Sequence, residues 1–166
     1  MSETNRTANC AGCGEKITFV HEIDKTREQW CPKCREKIAP PYFGTYLDKN
    51  GEVKTDLFFE TAKTIVGSLK TSMKFSKLRS YYGEVARIWR LIENDPARDQ
   101  QAKMEFKLLQ AKAIYDKNRG FAPDALVDFF NKNEQIIGGG DFCENFGIFK
   151  KHFEAVIAFA KGELKS

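Results

Sequence analysis

Apolar residues recur at spacings of three and four along the chain beyond residue 55, which is the period of an amphipathic α-helix. Two long runs define the clearest core-facing stripes: Phe75, Leu78, Tyr82, Val85, Trp89 and Ile92, then Phe142, Phe146, Phe149, Phe153, Val156 and Ala160. Two shorter sets are expected to complete the core: Leu108, Ala111 and Tyr115, then Leu126, Phe129, Phe130, Ile136 and Ile137. The pattern predicts a mainly α protein whose body is a five-helix bundle.

Cap and turn residues divide this pattern into its five helices. The expected bounds are approximately residues 56–68, 72–94, 96–118, 123–138 and 142–161. Short polar side chains at the starts are the expected N-caps: Asp56, Thr71 or Ser72, Asp95 and Asp141. Proline is favoured in the first turn, as at Pro96 and Pro123, and Gly120 is expected to end the third helix in a left-handed conformation.

The chain before residue 56 has a different character. Pro40 and Pro41 exclude helix and favour extended backbone, so a domain boundary is expected there. The turn sequence 48–51, Asp-Lys-Asn-Gly, lies between aromatic and β-branched residues and predicts a short hairpin. We therefore divide the chain into a small module at 1–40, a linker or short hairpin at 41–55 and a helical domain at 56–166.

Two CxxC pairs, Cys10 with Cys13 and Cys31 with Cys34, are separated by seventeen residues. This spacing is typical of a four-cysteine zinc ribbon, so we predict one structural zinc ion with no open position for catalysis. Two disulfides or a redox dithiol are the alternatives. The polar N-terminus has no apolar signal-peptide core, which favours a reducing cytoplasm and disfavours disulfides. His21 is expected to be a solvated loop residue.

The charge is unevenly distributed, although the net charge is only +4. Residues 60–120 contain thirteen basic and seven acidic side chains. In the second helix Ser76, Arg79, Gly83, Arg87 and Arg90 form a stripe roughly opposite the apolar one. Glycine inside a helix costs about 1 kcal/mol relative to alanine, so Gly83 favours close approach of a phosphate backbone or another subunit.

Further residues extend this basic surface: Lys70, Lys74 and Lys77 before and within the second helix, and Lys112 and Arg119 in the third. Tyr81 and Tyr115 are expected to offer stacking surfaces for bases. An arginine-rich solvated face is the alternative interpretation of the stripe. No apolar run approaches the length of a membrane span, so no membrane association is expected.

Few residues in the sequence could act as a catalytic acid, base or nucleophile. The two histidines, His21 and His152, have no partner in the sequence that would make an acid–base pair. Cys143 lies nine residues from His152, which places them on opposite sides of a helix, and we interpret it as a small core residue. No glycine-rich phosphate loop is present. We therefore expect no enzymatic activity, with a small ribonuclease as the weakest alternative.

Three segments resemble blocks of one known family in the family's order. Residues 69–85 contain Ser76-Lys-Leu-Arg79-Ser-Tyr-Tyr82, which resembles the S-x-L-R-x-x-Y motif of the small subunit of type III-A CRISPR (Csm) effector complexes. Residues 108–119 resemble that family's leucine-rich block ending in tyrosine and arginine. Residues 142–161 resemble its C-terminal F-x-x-F-x-E-A-I-x-A-Y-x-K helix.

The resemblance implies a non-catalytic, RNA-binding antiviral-defence subunit in the cytoplasm. Such subunits stack in several copies along the guide RNA, the target RNA and the backbone subunits, and so self-associate along the filament. The resemblance implies that Arg79, Lys112 and Arg119 contact RNA. For Arg87, Arg90, Lys74 and Lys77, RNA contact is predicted only from the basic stripe. The zinc ribbon departs from the family pattern. The alternative function is a zinc-ribbon protein-interaction module of the transcription or translation machinery.

Overall fold

The computed structural model describes residues 6–9, 15–19 and 45–165. The chain divides into two units, residues 1–41 and 42–166. In the first unit, β1 (Arg6–Asn9) and β2 (Lys16–Phe19) form a two-stranded antiparallel sheet in which Arg6 pairs with Phe19 and Asn9 with Lys16. Cys10, Cys13, Cys31 and Cys34 lie outside the described residues.

The described part of the second unit is mainly helical and contains five α-helices, which confirms the predicted fold class for the body of the chain. They are α1 (Glu60–Leu69), α2 (Phe75–Glu93), α3 (Asp99–Asn118), α4 (Asp124–Gly138) and α5 (Phe142–Glu163). Short 3-10 helices precede α1 at Thr55–Phe58 and α3 at Pro96–Arg98. α5 packs against α1, α2 and α4, and α3 packs against α2 and α4.

A short hairpin lies at the start of this unit. Leu47 and Val53 form an antiparallel bridge, and the Asp48 carboxylate accepts hydrogen bonds from the backbone N–H groups of Asn50 and Glu52. Gly51 has φ of +81°, a left-handed conformation that glycine adopts without a steric cost. The Tyr46 hydroxyl then donates a 2.6 Å hydrogen bond to Asn133 in α4, which anchors the hairpin to the bundle.

Two of the four predicted N-caps are correct. The Asp141 carboxylate accepts from the Glu144 N–H at the start of α5, and the Asp95 carboxylate accepts from the Ala97 N–H. The prediction for Asp56 is wrong, because Asp56 lies inside the first 3-10 helix and α1 begins four residues later. The prediction for Thr71 or Ser72 is also wrong: α2 begins at Phe75, whose N–H donates to the Lys165 carbonyl oxygen.

The core is dominated by phenylalanine. Rings of α3, α4 and α5 meet mostly edge to face, as in the pairs Phe106–Phe146 and Phe129–Phe153, with centroids 5.5 and 5.1 Å apart. All residues of the predicted α4 and α5 stripes are buried. A Cβ atom on Gly147 would lie 2.9 Å from the Trp89 ring, so a larger residue would force this ring to shift where α2 packs against α5.

The predicted α3 stripe is wrong. Leu108 and Tyr115 are 64% and 58% exposed, and Ala111 is also exposed. The buried residues of α3 are instead Ala102, Phe106, Leu109, Gln110, Ala113 and Asp116. α3 therefore carries apolar residues on both faces, and the bundle covers only one of them.

Candidate nucleic-acid interface

The basic residues predicted to contact RNA separate into two surfaces. Arg79, Arg87 and Arg90 lie on the solvent side of α2, opposite the residues of α2 that are buried in the core. Lys77 is only two residues from Arg79, but two residues correspond to about 200° of rotation, so Lys77 lies on the other side of the helix, toward α3. The predicted basic residues therefore form two separate surfaces instead of one continuous surface.

The first surface, the outer face of α2, consists of Ser76, Arg79, Gly83, Arg87 and Arg90, all exposed. The Arg79 side chain forms no hydrogen bond or ion pair with any other described residue. Glu84, one turn away, pairs with Arg87 instead. A Cβ atom built on Gly83 would meet no atom within 4 Å, so this position is open to solvent. The outer face thus offers a cation beside a gap in the side-chain surface.

Arg87 is the most constrained cation on this face. Its Nε lies 3.0 Å from Glu84 Oε2, and its Nη1 lies 2.5 Å from Glu105 Oε2 in α3. Hydrogen bonds to Glu105 and then Glu84 raise the pKa of the guanidinium. Arg90 donates from Nε to the Ala86 carbonyl oxygen at 3.3 Å. Arg87 therefore ties α2 to α3, while Arg79 and Arg90 keep charge that no described carboxylate neutralises.

Lys77 lies in the seam between α2 and α3. Its Nζ is 2.7 Å from Asp116 Oδ2, an oxygen that also accepts a 2.5 Å hydrogen bond from the Tyr81 hydroxyl. Burial by itself raises the pKa of Asp116, but the hydrogen bonds from Lys77 and Tyr81 outweigh it and hold the pKa below its ordinary value. Lys112 Nζ lies 5.4 Å from the centroid of the Tyr81 ring. The seam therefore brings two predicted lysines together around one buried carboxylate.

Tyr81 does not offer a stacking surface, so that prediction is wrong. Its side chain is fully buried, and its ring lies 5.6 Å from that of Phe130. The apolar stripe of α2 is wider than predicted and includes Tyr81 and Ile88 on the side facing α3. Burial and the hydrogen bond to Asp116 raise the pKa of the phenol. Tyr81 is a core residue with a satisfied hydroxyl.

A second surface, which we call the Arg119 cluster, consists of Lys77, Lys112, Tyr115, Arg119 and Phe121. The Arg119 guanidinium carbon lies 5.5 Å from the Tyr115 ring centroid and 5.0 Å from that of Phe121. Its Nη1 also lies 3.2 Å from the Tyr115 hydroxyl. Lys77 Nζ is 6.0 Å from the Phe121 centroid. Here cations and exposed aromatic rings alternate at the C-terminal end of α3.

Phe121 was not among the predicted site residues, although the sequence contains a signal for it. Gly120 has φ of +74°, and its N–H donates to the Lys117 carbonyl oxygen while the Phe121 N–H donates to that of Asp116. These two bonds define a Schellman motif, in which the residue after the glycine folds back over the last helical turn. An apolar residue after a predicted terminal glycine therefore indicates contact with that turn.

The last predicted cation, Lys74, immediately precedes α2 and is exposed. Lys70 forms an ion pair with Glu163 instead of joining either surface.

The described residues contain no group of three or more histidine, cysteine or acidic side chains placed to hold a metal ion. His152 is buried, and its Nδ1 donates a 2.6 Å hydrogen bond to the Leu57 carbonyl oxygen. Burial lowers the pKa of His152 to about 4. Cys143 is half-buried, and burial raises its pKa. No helix in the described part of the chain is long and apolar enough to cross a membrane.

A family model described as Csm2 Type III-A matches residues 52–165, which is most of the chain. The matched range contains all five α-helices and both basic surfaces. No curated protein and no solved structure gives a significant match.

Proposed function

The chain belongs to the Csm2 family, the small subunit of the type III-A CRISPR Csm complex, and on this premise we propose that it binds RNA there without catalysing cleavage. The observation that carries the proposal is Arg79, an exposed guanidinium that no described residue pairs. It lies one helical turn from the open position at Gly83. A phosphate that approaches α2 over Gly83 would reach Arg79 without displacing a side chain.

The expected contacts are to phosphate and sugar, not to base edges. In an RNA-guided complex, base pairing between guide and target reads the sequence, and the protein holds the backbone. Arginine suits this role because its planar fork binds two phosphate oxygens at once. Arg90 would extend the contact along the outer face, and Lys74 would add a cation just before α2. Lys112 and Arg119 would provide a second contact from α3.

The proposal includes contacts with the other subunits and with further copies of this chain along the RNA. Exposed apolar residues on α3 support this part: Met104 is 59% and Leu108 is 64% exposed. Covering such side chains is favourable by about 25 cal/mol per Å² of apolar surface removed from water. Several copies on one strand would also add their weak affinities through effective concentration.

We further propose that Cys10, Cys13, Cys31 and Cys34 bind one structural zinc ion. The spacing of the two CxxC pairs supports it. In the sequence, Cys10 and Cys13 fall between the two paired segments Arg6–Asn9 and Lys16–Phe19. The zinc would stabilise the module at 1–40 and would take no part in a reaction.

Affinity purification from the native cell tests the proposal. We expect guide RNA and the larger effector subunits to co-purify with the chain. Recovery of RNA polymerase or ribosomes without guide RNA would support the alternative function and contradict ours. Specific RNA cleavage by the pure chain, abolished by a substitution in its own sequence, would contradict the non-catalytic role.

A further inference from the structure

We propose that the Arg119 cluster is a stacking site for an unpaired RNA base. The inference rests on the proposed RNA-binding function and adds a ligand chemistry that phosphate contacts alone do not provide. A base would lie against the exposed rings of Tyr115 and Phe121, and its flanking phosphates would contact the lysines of the cluster.

The exposure of the two rings is the first observation. Tyr115 is 58% and Phe121 is 50% exposed, although fully buried phenylalanines form the core of this bundle. A base stacked on an aromatic side chain contributes favourably whatever its identity, because every base has a π face. The rings therefore suit a ligand whose sequence is read elsewhere.

The second observation is that the rings are held in place. The Schellman motif at Gly120 fixes the backbone of Phe121 against the last turn of α3. Arg119 lies beside both rings and makes a hydrogen bond to the Tyr115 hydroxyl. A ligand that stacks here loses little free energy in ordering these side chains, because they are already arranged.

The third observation is the charge around the rings. Arg119 forms no ion pair with a described carboxylate, and Lys112 lies over Tyr81 at the same end of α3. Asp116, the acid that Lys77 contacts, is only 5% exposed and is already bonded to Lys77 and Tyr81. The accessible part of the cluster is therefore cationic and aromatic together.

This combination favours RNA over an apolar protein surface. An apolar partner covering the rings would also remove the Arg119 guanidinium from water without a compensating anion, which is costly. A nucleotide supplies both complements, because its base stacks on rings and guanidinium and its phosphate neutralises the cations. A protein partner is therefore the alternative outcome of the test.

The test uses the assembled complex with target RNA that contains 5-iodouridine, which cross-links to aromatic side chains stacked on it. We expect cross-links to Tyr115 or Phe121. Phe121→Leu keeps an apolar side chain but removes the π face, and should weaken target-RNA binding about 10-fold, the order expected for one stacked base. Phe121→Trp should restore binding. Because stacking is not ionic, the loss should be similar at low and high salt.

Phe59→Leu is the matched control. Phe59 is 51% exposed and has Lys63 Nζ 3.9 Å from its ring centroid, but it lies beside α1 and Phe159. It should change neither cross-linking nor affinity. Normal RNA affinity of Phe121→Leu, with Arg79→Ala still impaired, would overturn stacking and leave the proposed function intact. Reduced incorporation of Phe121→Leu into the complex, with normal RNA affinity once assembled, would identify a protein interface and also overturn it.

Discussion

The Tyr81 hydroxyl in α2 donates a 2.5 Å hydrogen bond to Asp116 Oδ2 in α3, which joins the two helices that carry both basic surfaces. The sequence suggests that Tyr81 stacks on RNA bases, but in the fold it is a core residue whose hydroxyl is bonded to Asp116. It also fixes the carboxylate that Lys77 contacts. The position of Lys77 therefore depends on a buried pair in the seam between α2 and α3.

Tyr81→Phe should lower the free energy of unfolding by about 1 to 3 kcal/mol, because it leaves the buried Asp116 without one of its donors. It should also raise the pKa of Asp116. In the parent protein this pKa is lowered, so the ionised carboxylate stabilises the fold above its ordinary pKa, and this stabilisation is lost as the pH falls through the folded-state pKa. Acid unfolding of the variant should therefore begin at higher pH. Urea titrations at several pH values measure both effects.

Tyr115→Phe is the control for this substitution, since it removes a hydroxyl that is bonded to Arg119 at the surface. Its unfolding free energy should stay within about 0.5 kcal/mol of the parent. Equal losses in the two variants would contradict the role of the Tyr81–Asp116 bond.

The buried imidazole of His152 predicts a separate pH dependence. Its pKa is lowered from 6.5 to about 4, so between these values the unfolded chain binds more protons than the folded one. Stability from this group is complete above pH 6.5 and should fall as the pH drops toward 4, by a total on the order of 3 kcal/mol. Thermal unfolding measured from pH 7 to pH 4.5 records the decline.

His152→Asn can keep a donor to the Leu57 carbonyl oxygen but does not titrate, so the decline between pH 6.5 and 4.5 should be much smaller in this variant. An equally steep decline in the variant would show that other groups cause it.

Gly83 tests whether the open position on α2 matters. Gly83→Ala should increase the free energy of unfolding by up to about 1 kcal/mol, because the site has room for a methyl group and alanine favours helix. If RNA approaches α2 closely at this point, the added methyl group should weaken target-RNA binding by the assembled complex. The two measurements would then move in opposite directions.

Gly67→Ala in α1 is the control, since Gly67 also has no neighbouring atom within 4 Å and lies on another helix. It should gain similar stability with unchanged RNA binding. Unchanged RNA binding by Gly83→Ala as well would show that RNA does not approach α2 closely at this position.

How far the sequence predicts the structure depends on the element. α5 was predicted well, because one strong phenylalanine stripe and the Asp141 cap agree. α3 was not, because Met104, Leu108, Ala111 and Tyr115 form a second apolar stripe beside that of Phe106 and Leu109. Both stripes have helical spacing, so the sequence alone does not show which stripe is buried. The stripe that α2 and α4 pack against is the buried one.

The start of α2 depends on a long-range contact in the same way. Thr71 and Ser72 are good caps by local preference, but the Phe75 N–H bonds to the Lys165 carbonyl oxygen ninety residues away. The candidate site shows the same limit: the exposed arginine stripe followed from periodicity, whereas the separation of Lys77 from Arg79 by the α2–α3 seam required the Asp116 contact.

The zinc prediction is tested by metal analysis of protein purified under reducing conditions. We expect about one zinc per chain, lost in Cys10→Ser and retained in Cys143→Ser, since Cys143 belongs to α5. Chelation should leave the helical circular dichroism signal largely intact, because the helices have their own aromatic core. Disulfides joining the four N-terminal cysteines in metal-free protein would contradict zinc binding.

RNA binding through Arg79 is tested by the target-RNA affinity of the assembled complex carrying Arg79→Ala. The control is Arg98→Ala, which changes an exposed arginine in the α2–α3 connection. We expect Arg79→Ala to leave the melting temperature and zinc content unchanged. It should weaken binding by about 1 to 3 kcal/mol, equally for unrelated target sequences and less as salt rises. Arg98→Ala should bind normally. Unchanged RNA affinity of Arg79→Ala, or a lowered melting temperature as its only effect, would contradict the claim.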